Sequence, residues 1–416
     1  MATLPTPTRQ CEYCTQGNGL CHGEVVAITT SLTREVFVRC APVCDSGSPQ
    51  QQAQKFYGCL PRLLNQHGAQ MRDVILERAF FRDLEADLAV FREARCQAYG
   101  QAGIAGDRLP ASSYVEQPPC RAEQAFELQL HAVASIGHEN VRVHSFPTTD
   151  QGATAKLVEI GGYRHLYLTN VNGCASNGQT QLPFRQQADM MFGKAAGLLS
   201  RHGTDFSTVL RTWCYLDDID RDYAQFNASR NEFFRQQALE RLPASTGIRS
   251  GLRPPGSLCG IDLYALLNPE GTSIEVMHTP TLNEAAEYGA SFSRGMKLVL
   301  PDKIVLFISG TASVDERGAT VHVNDTGRQI ERMLLNVKEL LAPHGASFAD
   351  VVQVITYLKS RRDLGLFLQI WDDWGLTGLP NSLVEAGVCR PDLLCELEAM
   401  AILPHKCGGA NGGTLR

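Results

Sequence analysis

The stretch Leu340-Leu341-Ala342-Pro343-His344-Gly345, with Phe348 and Val351 after it, is one of three copies of the pattern L-L-x-x-H-G-x-x-[MF]-x-x-V in this chain of 416 residues. The other copies begin at Leu63 and Leu198, and the intervals between the three histidines are 202 − 67 = 135 and 344 − 202 = 142 residues. The leucine pair closes the apolar face of a helix, the glycine supplies the left-handed residue that ends it, and a strand follows. The pattern predicts three copies of one domain-sized α+β unit.

The repeat divides the chain into ranges of similar length. We expect unit one over residues 1–137, unit two over 138–273 and unit three over 274–404, with a disordered glycine-rich tail over 405–416. Hydrophobic periodicity predicts the order β-β-α-β-α-β-β in each unit. That order implies a mixed sheet with both helices on one face. The other face needs cover, so we expect the units to close an intramolecular pseudo-trimer with three interface clefts, and the protein to be monomeric.

Composition excludes some classes of function. With 44% hydrophobic residues, 20% charged residues and a net charge of −6, the chain is typical of a globular protein and lacks the basic footprint of a nucleic-acid binder. No apolar run approaches the ~20 residues of a membrane span, and the first residues lack a secretion signal. The expected location is the cytoplasm, with neither nucleic acid nor membrane as partner.

The 14 cysteines raise the question of a metal site. A cluster near the start contains Cys11-x-x-Cys14, Cys21-His22 and Cys40-x-x-x-Cys44. Its spacing matches no compact zinc motif, so we predict free thiols and no structural metal, with zinc or iron–sulfur binding as the alternative. The chain also lacks a Gly-rich phosphate loop after a strand and a Gly-x-Ser-x-Gly elbow. We therefore expect no cofactor.

Unit three carries the most specific motifs. Together with the order of elements and the repeated landmarks, they resemble the RidA/YjgF family of small trimeric enamine/imine deaminases. The residues that carry this resemblance are Phe307-Ile308-Ser309-Gly310-Thr311, Gln329, Asn336-Val337, Gly345 to Val352 and Glu396-Leu397-Glu398-Ala399. The resemblance implies a chorismate-mutase-like fold, a covalent version of the family's trimer, and ligand sites at the unit interfaces.

Residues 155–404 are also similar to the chorismatases, which resemble fused RidA-like domains and hydrolyse chorismate. Two departures are a chorismatase insertion reduced here to Ala290-Ser291, and a unit one without a counterpart in that family. The motifs that carry this resemblance are Arg211-Thr212-Trp213-x-Tyr215, Phe226-Asn227-Ala228-Ser229-Arg230, Leu242 to Ile248, Tyr288-Gly289, Phe292-Ser293-Arg294, Thr320-Val321-His322, Arg361 to Leu364 and Cys389 to Glu396.

The candidate acid is Glu396, seven residues after Cys389. The same spacing recurs in unit one as Cys120 and Glu127. In unit two, Arg253 stands at the position of the cysteine and Gly260 at the position of the glutamate. A carboxyl group that points from the last strand into an interface cleft would be desolvated, which raises its pKa and suits it to donate a proton to an enol ether or enamine. The alternative is that Glu396 and Glu398 only solvate an edge strand. Resemblance to the chorismatases implies the catalytic role for Glu396, with Glu127, Cys120 and Arg253 as secondary candidates.

The remaining candidates shape or bind the substrate. Cys389 matches the cysteine of chorismatases that yield 3-hydroxybenzoate, although a packed thiol is equally consistent. Arginine binds carboxylates through two parallel charge-assisted hydrogen bonds. The resemblance to the chorismatases implies substrate-binding roles for residues of the matched motifs, namely Arg211, Arg230, Arg294, Arg390 and Tyr215. Each arginine taken alone could instead be a solvated surface residue. The arginine with which RidA deaminases hold their substrate is replaced by Val388 here, which counts against standard deaminase chemistry.

Three functions stay open at this point. The first is a cofactor-independent, chorismatase-like hydrolase acting on a carboxylated enol ether. The second is a RidA-type enamine/imine deaminase. The third is a non-catalytic metabolite-binding or assembly protein, which exposed carboxyls and scattered arginines would favour.

Overall fold

The structure is a computed structural model that describes residues 8–13, 21–42, 47–137, 139–146, 152–174, 182–284, 289 and 291–405. The tail predicted to be disordered lies, after His405, outside the described residues. Mixed sheets and helices alternate along the chain, which confirms the α+β class.

The elements fall into three successive groups. Unit one contains β1 (Thr8–Tyr13), β2 (Cys21–Thr29), β3 (Thr33–Pro42), α1 (Pro49–Gln66), β4 (Val74–Phe81), α2 (Leu84–Gln101), β5 (Ala111–Glu116) and β6 (Phe126–Ser135). Unit two contains β7 (Val141–Phe146), β8 (Thr154–Ile160), β9 (Tyr163–Asn172), α3 (Phe184–Arg201), β10 (Val209–Leu216), α4 (Ile219–Gln236), β11 (Ala244–Arg249) and β12 (Cys259–Leu266). Unit three contains β13 (Ser273–Val276), β14 (Gly295–Val299), β15 (Lys303–Ala312), α5 (Thr326–Leu341), β16 (Val351–Leu358), α6 (Leu364–Asp373), β17 (Asn381–Glu385) and β18 (Cys395–Pro404).

Each group forms one six-stranded sheet with the same topology. The strand orders are β1-β2-β3-β6-β4-β5 in unit one, β7-β8-β9-β12-β10-β11 in unit two and β13-β14-β15-β18-β16-β17 in unit three. The last pair in each order is parallel and the other pairs are antiparallel. Each sheet therefore has one strand more than the predicted order, an additional first strand at its edge.

The repeated landmark ends a helix in all three units. Gly68, Gly203 and Gly345 have φ angles of 79°, 74° and 68°, the left-handed conformation that glycine adopts without strain. His67 and His202 are the residues at which α1 and α3 end. At the other end of α5, the Asp325 carboxylate accepts a hydrogen bond from the Arg328 backbone N–H, which caps the helix.

The helix-free faces of the three sheets pack against one another. One buried apolar cluster takes Phe37 from unit one, Leu210 and Tyr264 from unit two, and Phe307 and Ile402 from unit three. Each helix-free face is therefore buried by the other two units of the same chain.

Backbone hydrogen bonds join each unit to the next. Glu116 N donates to Gly251 O (3.1 Å) between units one and two, Arg249 N to Gly387 O (3.0 Å) between units two and three, and Glu385 N to Pro118 O (2.8 Å) between units three and one. The units thus contact one another in cyclic order and form three interfaces.

Candidate active site

Glu396 lies on β18 at the interface of units two and three, and only 4% of its surface is exposed. Opposite it, β15 contains a bulge between Ile308 and Thr311. The bulge places Gly310 against the Glu396 carboxyl group, where a methyl group at residue 310 would overlap the carboxyl oxygen. Bulges commonly re-aim side chains beside active sites. Here the bulge and a missing side chain together make room for a buried acid.

Glu398 lies two residues further along β18, on the same face of the strand. Its carboxylate accepts hydrogen bonds from Arg211 Nη2 (2.8 Å), Trp213 Nε1 (2.6 Å) and Tyr357 Oη (3.3 Å). The Arg78 guanidinium of unit one is 3.7 Å from Glu398 Oε1. Glu398 is therefore a fixed negative charge beside Glu396.

Burial is the main cause of the unusual titration of Glu396. Desolvation raises its pKa from 4.5 to about 8, and the neighbouring Glu398 adds to the rise. The guanidiniums of Arg211, Arg294 and Arg390 oppose it without cancelling it. Glu396 is therefore a protonated carboxylic acid at neutral pH, the form that a general acid must have.

Arg211 reaches the site from β10 of unit two. Its Nη2 atom donates to Thr246 Oγ1 at 2.5 Å, and that hydroxyl in turn accepts a hydrogen bond from Gly310 N at 3.0 Å. Arg211 is 2% exposed and also bonds Glu398. It therefore joins the bulge, the edge strand of unit two and Glu398 into one network.

The other arginines approach from loops and from helix α4. Arg294 donates to Asn283 O (2.7 Å) and Oδ1 (3.0 Å), and Arg390 Nη1 donates to Gly318 O (2.7 Å). The guanidiniums of Arg230 and Arg294 lie 5.5 and 5.6 Å from the centre of the Phe292 ring. The structure thus gathers the four predicted arginines at one interface with Glu396.

Cys389 belongs to the same interface, where it contacts the apolar core of unit two. Desolvation, and then the nearby Glu396, raise the pKa of its thiol to about 12. A neutral thiol is a poor nucleophile. The position suits a side chain that shapes the cleft.

Tyr215 lies elsewhere, at the interface of units one and two. Its hydroxyl donates to Asp262 Oδ2 at 3.2 Å, and its ring lines a cavity of about 270 Å³ there. Arg253 and Gly260 line the same cavity, and Arg253 forms an ion pair with Glu85. This interface has a glycine where Glu396 stands in unit three, so it lacks the proposed acid.

Glu127 and Cys120 line a cavity of about 300 Å³ between units one and three. Glu127 is 1% exposed and accepts a hydrogen bond from Arg39 Nη2 within a buried ion pair. Arg39 lies on β3, whose pairing with β6 continues through this place without the shift that β15 has at Gly310. Burial raises the pKa of the Cys120 thiol to about 12. Glu127, the counterpart of Glu396 in unit one, is thus bound in an ion pair with a guanidinium.

The N-terminal cysteine cluster is described only in part. Cys40 is a buried free thiol, while the side chains of Cys11, Cys14, Cys21 and Cys44 lie outside the described residues. The prediction of no metal there stays a prediction. Elsewhere in the described ranges, no group of three or more His, Cys, Asp or Glu side chains has a metal-binding arrangement. None of the helices that the structure describes is long and apolar enough to cross a membrane.

Sequence reasoning missed several parts of the site. From sequence, Thr246 and Trp213 have no predicted role, and the only role predicted for Glu398 is to solvate an edge strand. Its i,i+2 spacing from Glu396 was the available signal, because alternate residues of a strand share a face. Arg78 carried no signal, since it lies in unit one and in none of the motifs that carry the two resemblances.

Comparisons with known proteins agree with this architecture. The Endoribonuclease L-PSP family model matches residues 284–403, which is most of unit three. A RutC family protein of Pyrococcus abyssi is 30% identical over 97 residues, which cover 23% of this chain and 76% of that protein. The chain belongs to the RidA superfamily.

Two further similarities extend beyond one RidA unit. The 3-hydroxybenzoate synthase of Streptomyces hygroscopicus is 28% identical over 227 residues, and the match covers 47% of this chain and 64% of that protein. A crystal structure of a chorismatase superposes with a TM-score of 0.61 at 18% identity, over 90% of this chain and 99% of that one. The second similarity concerns the fold. Among single-unit relatives, the 3-aminoacrylate deaminase RutC of Acinetobacter baylyi is 28% identical over 98 residues, which cover 23% of this chain and 78% of that protein.

Proposed function

We propose that this protein is a cofactor-independent, chorismatase-like hydrolase that acts on a small carboxylated enol ether such as chorismate. The observation that carries the proposal is Glu396, a buried acid that stays protonated to about pH 8 at an interface with three arginines around it. The similarities to 3-hydroxybenzoate synthase and to a chorismatase structure support the substrate class.

The chemistry needs only proton transfers and one water molecule. Glu396 gives its proton to the terminal carbon of the enol ether, which leaves a carboxylate and an oxocarbenium ion. Water adds to the cationic carbon and returns a proton to Glu396. The resulting hemiketal then breaks its carbon–oxygen bond and releases a 2-oxo acid and an alcohol. No electrons are exchanged, so no redox cofactor is needed.

The arginines would hold the substrate carboxylates. Arg230 has a buried Nε without a hydrogen-bond partner among the described residues, and its guanidinium faces the Phe292 ring together with that of Arg294. A carboxylate is the natural partner of such donors. Cys389, next to the acid, would restrict the positions that a water molecule can occupy. If the ring of the alcohol product then loses water, the final product is aromatic and of the 3-hydroxybenzoate type.

A RidA-type enamine/imine deaminase is the second candidate. The RutC relative, a 3-aminoacrylate deaminase, favours it, and an enamine accepts a proton from Glu396 in the same way as an enol ether. Val388 in place of the usual arginine counts against it. The binder hypothesis is weakened because its two conditions, exposed carboxyls and scattered arginines, are not met.

Incubation with chorismate and with a 2-aminoacrylate-generating system, followed by product detection, separates the two reactions. Glu396→Gln keeps the shape of the side chain but cannot supply the acidic proton, so turnover should fall by roughly 10²–10⁴-fold with folding retained. Glu127→Gln is the matched variant at the other interface and should cost much less. Circular dichroism and melting temperature control for folding.

Unchanged turnover in folded Glu396→Gln would remove the proposed acid. A larger loss in Glu127→Gln would move the active site to the interface of units one and three. Turnover of neither compound by the wild-type protein would refute both candidate reactions.

A further inference from the structure

A cavity lies where the sheets of all three units meet. Its wall takes Arg78 and Gln129 from unit one, Arg211 and Trp213 from unit two, and Phe307 from unit three, among other residues. Its volume is about 80 Å³, room for a small molecule only, and Trp213 and Met400 keep partial exposure. We call it the axial cavity. It shares Arg211, Trp213 and Glu398 with the candidate active site, but Glu396, Arg294 and Arg390 do not line it.

Arg78 is the exceptional residue of the axial cavity. It is only 6% exposed, yet its guanidinium makes no hydrogen bond among the described residues. Its contacts are the 3.7 Å approach to Glu398 Oε1 and a position 4.2 Å from the centre of the Trp213 ring. Its Nε is buried without a hydrogen-bond partner within the described part of the chain, which is costly because that N–H group has left water without gaining an acceptor.

Three further polar atoms in the same wall are unpaired. Arg211 Nη1, Gln129 Oε1 and His165 Nε2 are buried without a hydrogen-bond partner within the described part of the chain. The Arg211 guanidinium lies 4.7 Å from the same Trp213 ring as that of Arg78. Two guanidiniums with unmet donors therefore converge on one indole at the wall of one cavity.

The charges of the wall leave a positive excess. Its cations are Arg78, Arg211 and Lys303, and its carboxylates are Glu35 and Glu398. Glu35 is occupied by Lys303 and His131 through hydrogen bonds. Desolvation lowers the pKa of His165 to about 3, so this imidazole is neutral.

Asp262 is the remaining carboxylate near Arg78, but it is not part of the cavity wall. It is bound instead by the Ser113 hydroxyl, by the Tyr215 hydroxyl and by the Asn170 backbone N–H. The positive excess of the wall therefore remains available to a ligand.

The rest of the wall selects among anions. Apolar side chains of Leu76, Val305, Phe307, Ile355 and Ile402 surround the polar groups. Such a surface suits a short hydrocarbon tail, while the two guanidiniums suit a planar oxyanion through paired hydrogen bonds.

We propose that the axial cavity is a binding site for a small monocarboxylate, with the carboxylate on Arg78 and Arg211 and the apolar tail against the surrounding aliphatic and aromatic side chains. The bound carboxylate supplies the acceptors that the two guanidiniums lack. This inference does not rest on the proposed hydrolase activity.

The test uses the full-length protein and sodium butyrate as the probe. Isothermal titration calorimetry should show one site, and the fluorescence of Trp213, isolated by comparison with Trp213→Phe, should change with the same midpoint. Butyramide has the same shape without the charge and should bind at least tenfold more weakly. Absence of saturable butyrate binding means a cavity filled by water only, and equal binding of butyramide means an apolar cavity without a carboxylate site. Either result overturns the proposal.

Arg78→Met keeps the length and apolar surface of the side chain and removes the charge. Butyrate binding should weaken at least tenfold, while the melting temperature without ligand should stay unchanged or rise, because the variant no longer buries a charged group whose Nε lacks a hydrogen-bond acceptor. Arg92→Met is the matched control, since Arg92 covers the Tyr114 ring away from the axial cavity and should leave binding unchanged. Wild-type affinity in folded Arg78→Met, or an equal loss in Arg92→Met, would refute the site.

Discussion

The titration of Glu396 can be tested before any substrate is known. Burial and then Glu398 raise its pKa from 4.5 to about 8 in the folded protein, whereas the unfolded chain leaves the group near its ordinary value. Between these two pH values the folded state holds a proton that the unfolded state has lost. The stability that depends on Glu396 is therefore fully present below pH 4.5 and is lost as the pH rises through about 8.

Glu396→Gln removes this dependence. Between pH 4.5 and about 8, the free energy of unfolding of the wild type should fall relative to that of the variant by at most about 1.4 kcal/mol per pH unit, as proton linkage requires. The cumulative difference has an upper bound of about 5 kcal/mol and should level off above pH 8. The residue is 4% exposed, so solvent screening reduces the effect little.

Infrared difference spectra of wild type against Glu396→Gln give the direct assay. The carbonyl stretching band of a protonated carboxylic acid should disappear with a midpoint near pH 8. Urea denaturation midpoints across the same pH range give the stability difference. Replacement of the neighbouring charge in Glu398→Gln should move the infrared midpoint downward. A band that titrates near pH 4.5, or a stability difference independent of pH between 5 and 8, would refute the reasoning.

Three further predictions concern other parts of the molecule. Gly310→Ala should displace the Glu396 carboxyl group and reduce turnover at least about tenfold with a nearly unchanged melting temperature, and full turnover would contradict the role of the bulge. Although burial opposes it, the Lys303 ammonium and the His131 hydrogen bond hold the pKa of Glu35 well below its usual range. That stabilisation is present at neutral pH and is lost in acid, so thermal melts should show Glu35→Gln more destabilising at pH 7 than at pH 3. Sedimentation should give about one chain mass of 45.6 kDa, and a homotrimer would contradict the monomeric arrangement.

Local signals in the sequence were sufficient for much of the fold. The pattern predicted a strand after each helix-ending His-Gly, and the structure has Val74–Phe81, Val209–Leu216 and Val351–Leu358 there, because each is a β-rich apolar run. The first strand of each sheet was missed. Those strands, such as β7 with its sequence Val-Arg-Val-His-Ser-Phe, lie at a sheet edge, where backbone pairing to one neighbour replaces a marked apolar face.

For the candidate active site too, the sequence predicted some features and the tertiary structure decided others. The resemblance to the chorismatases, together with a seven-residue spacing repeated in unit one, singled out Cys389 and Glu396, and the matched motifs contained arginines that the structure does gather around them. Sequence alone could not decide that Tyr215 faces a different interface, since a side chain's cleft depends on how neighbouring units pack.

Nor could the sequence distinguish Glu396 from Glu127. Both follow a Cys-Arg pair at equal spacing, yet a bulge places Gly310 beside one and regular pairing places Arg39 beside the other. The repeat in the sequence determined the strand position of each glutamate, because the end of a helix and the start of a strand depend on residues that are neighbours in sequence. Only the tertiary structure decided that Glu396 is a protonated acid and that Glu127 forms an ion pair. The residues that exclude water from each carboxyl group, and the charges beside it, lie on strands that are distant in sequence.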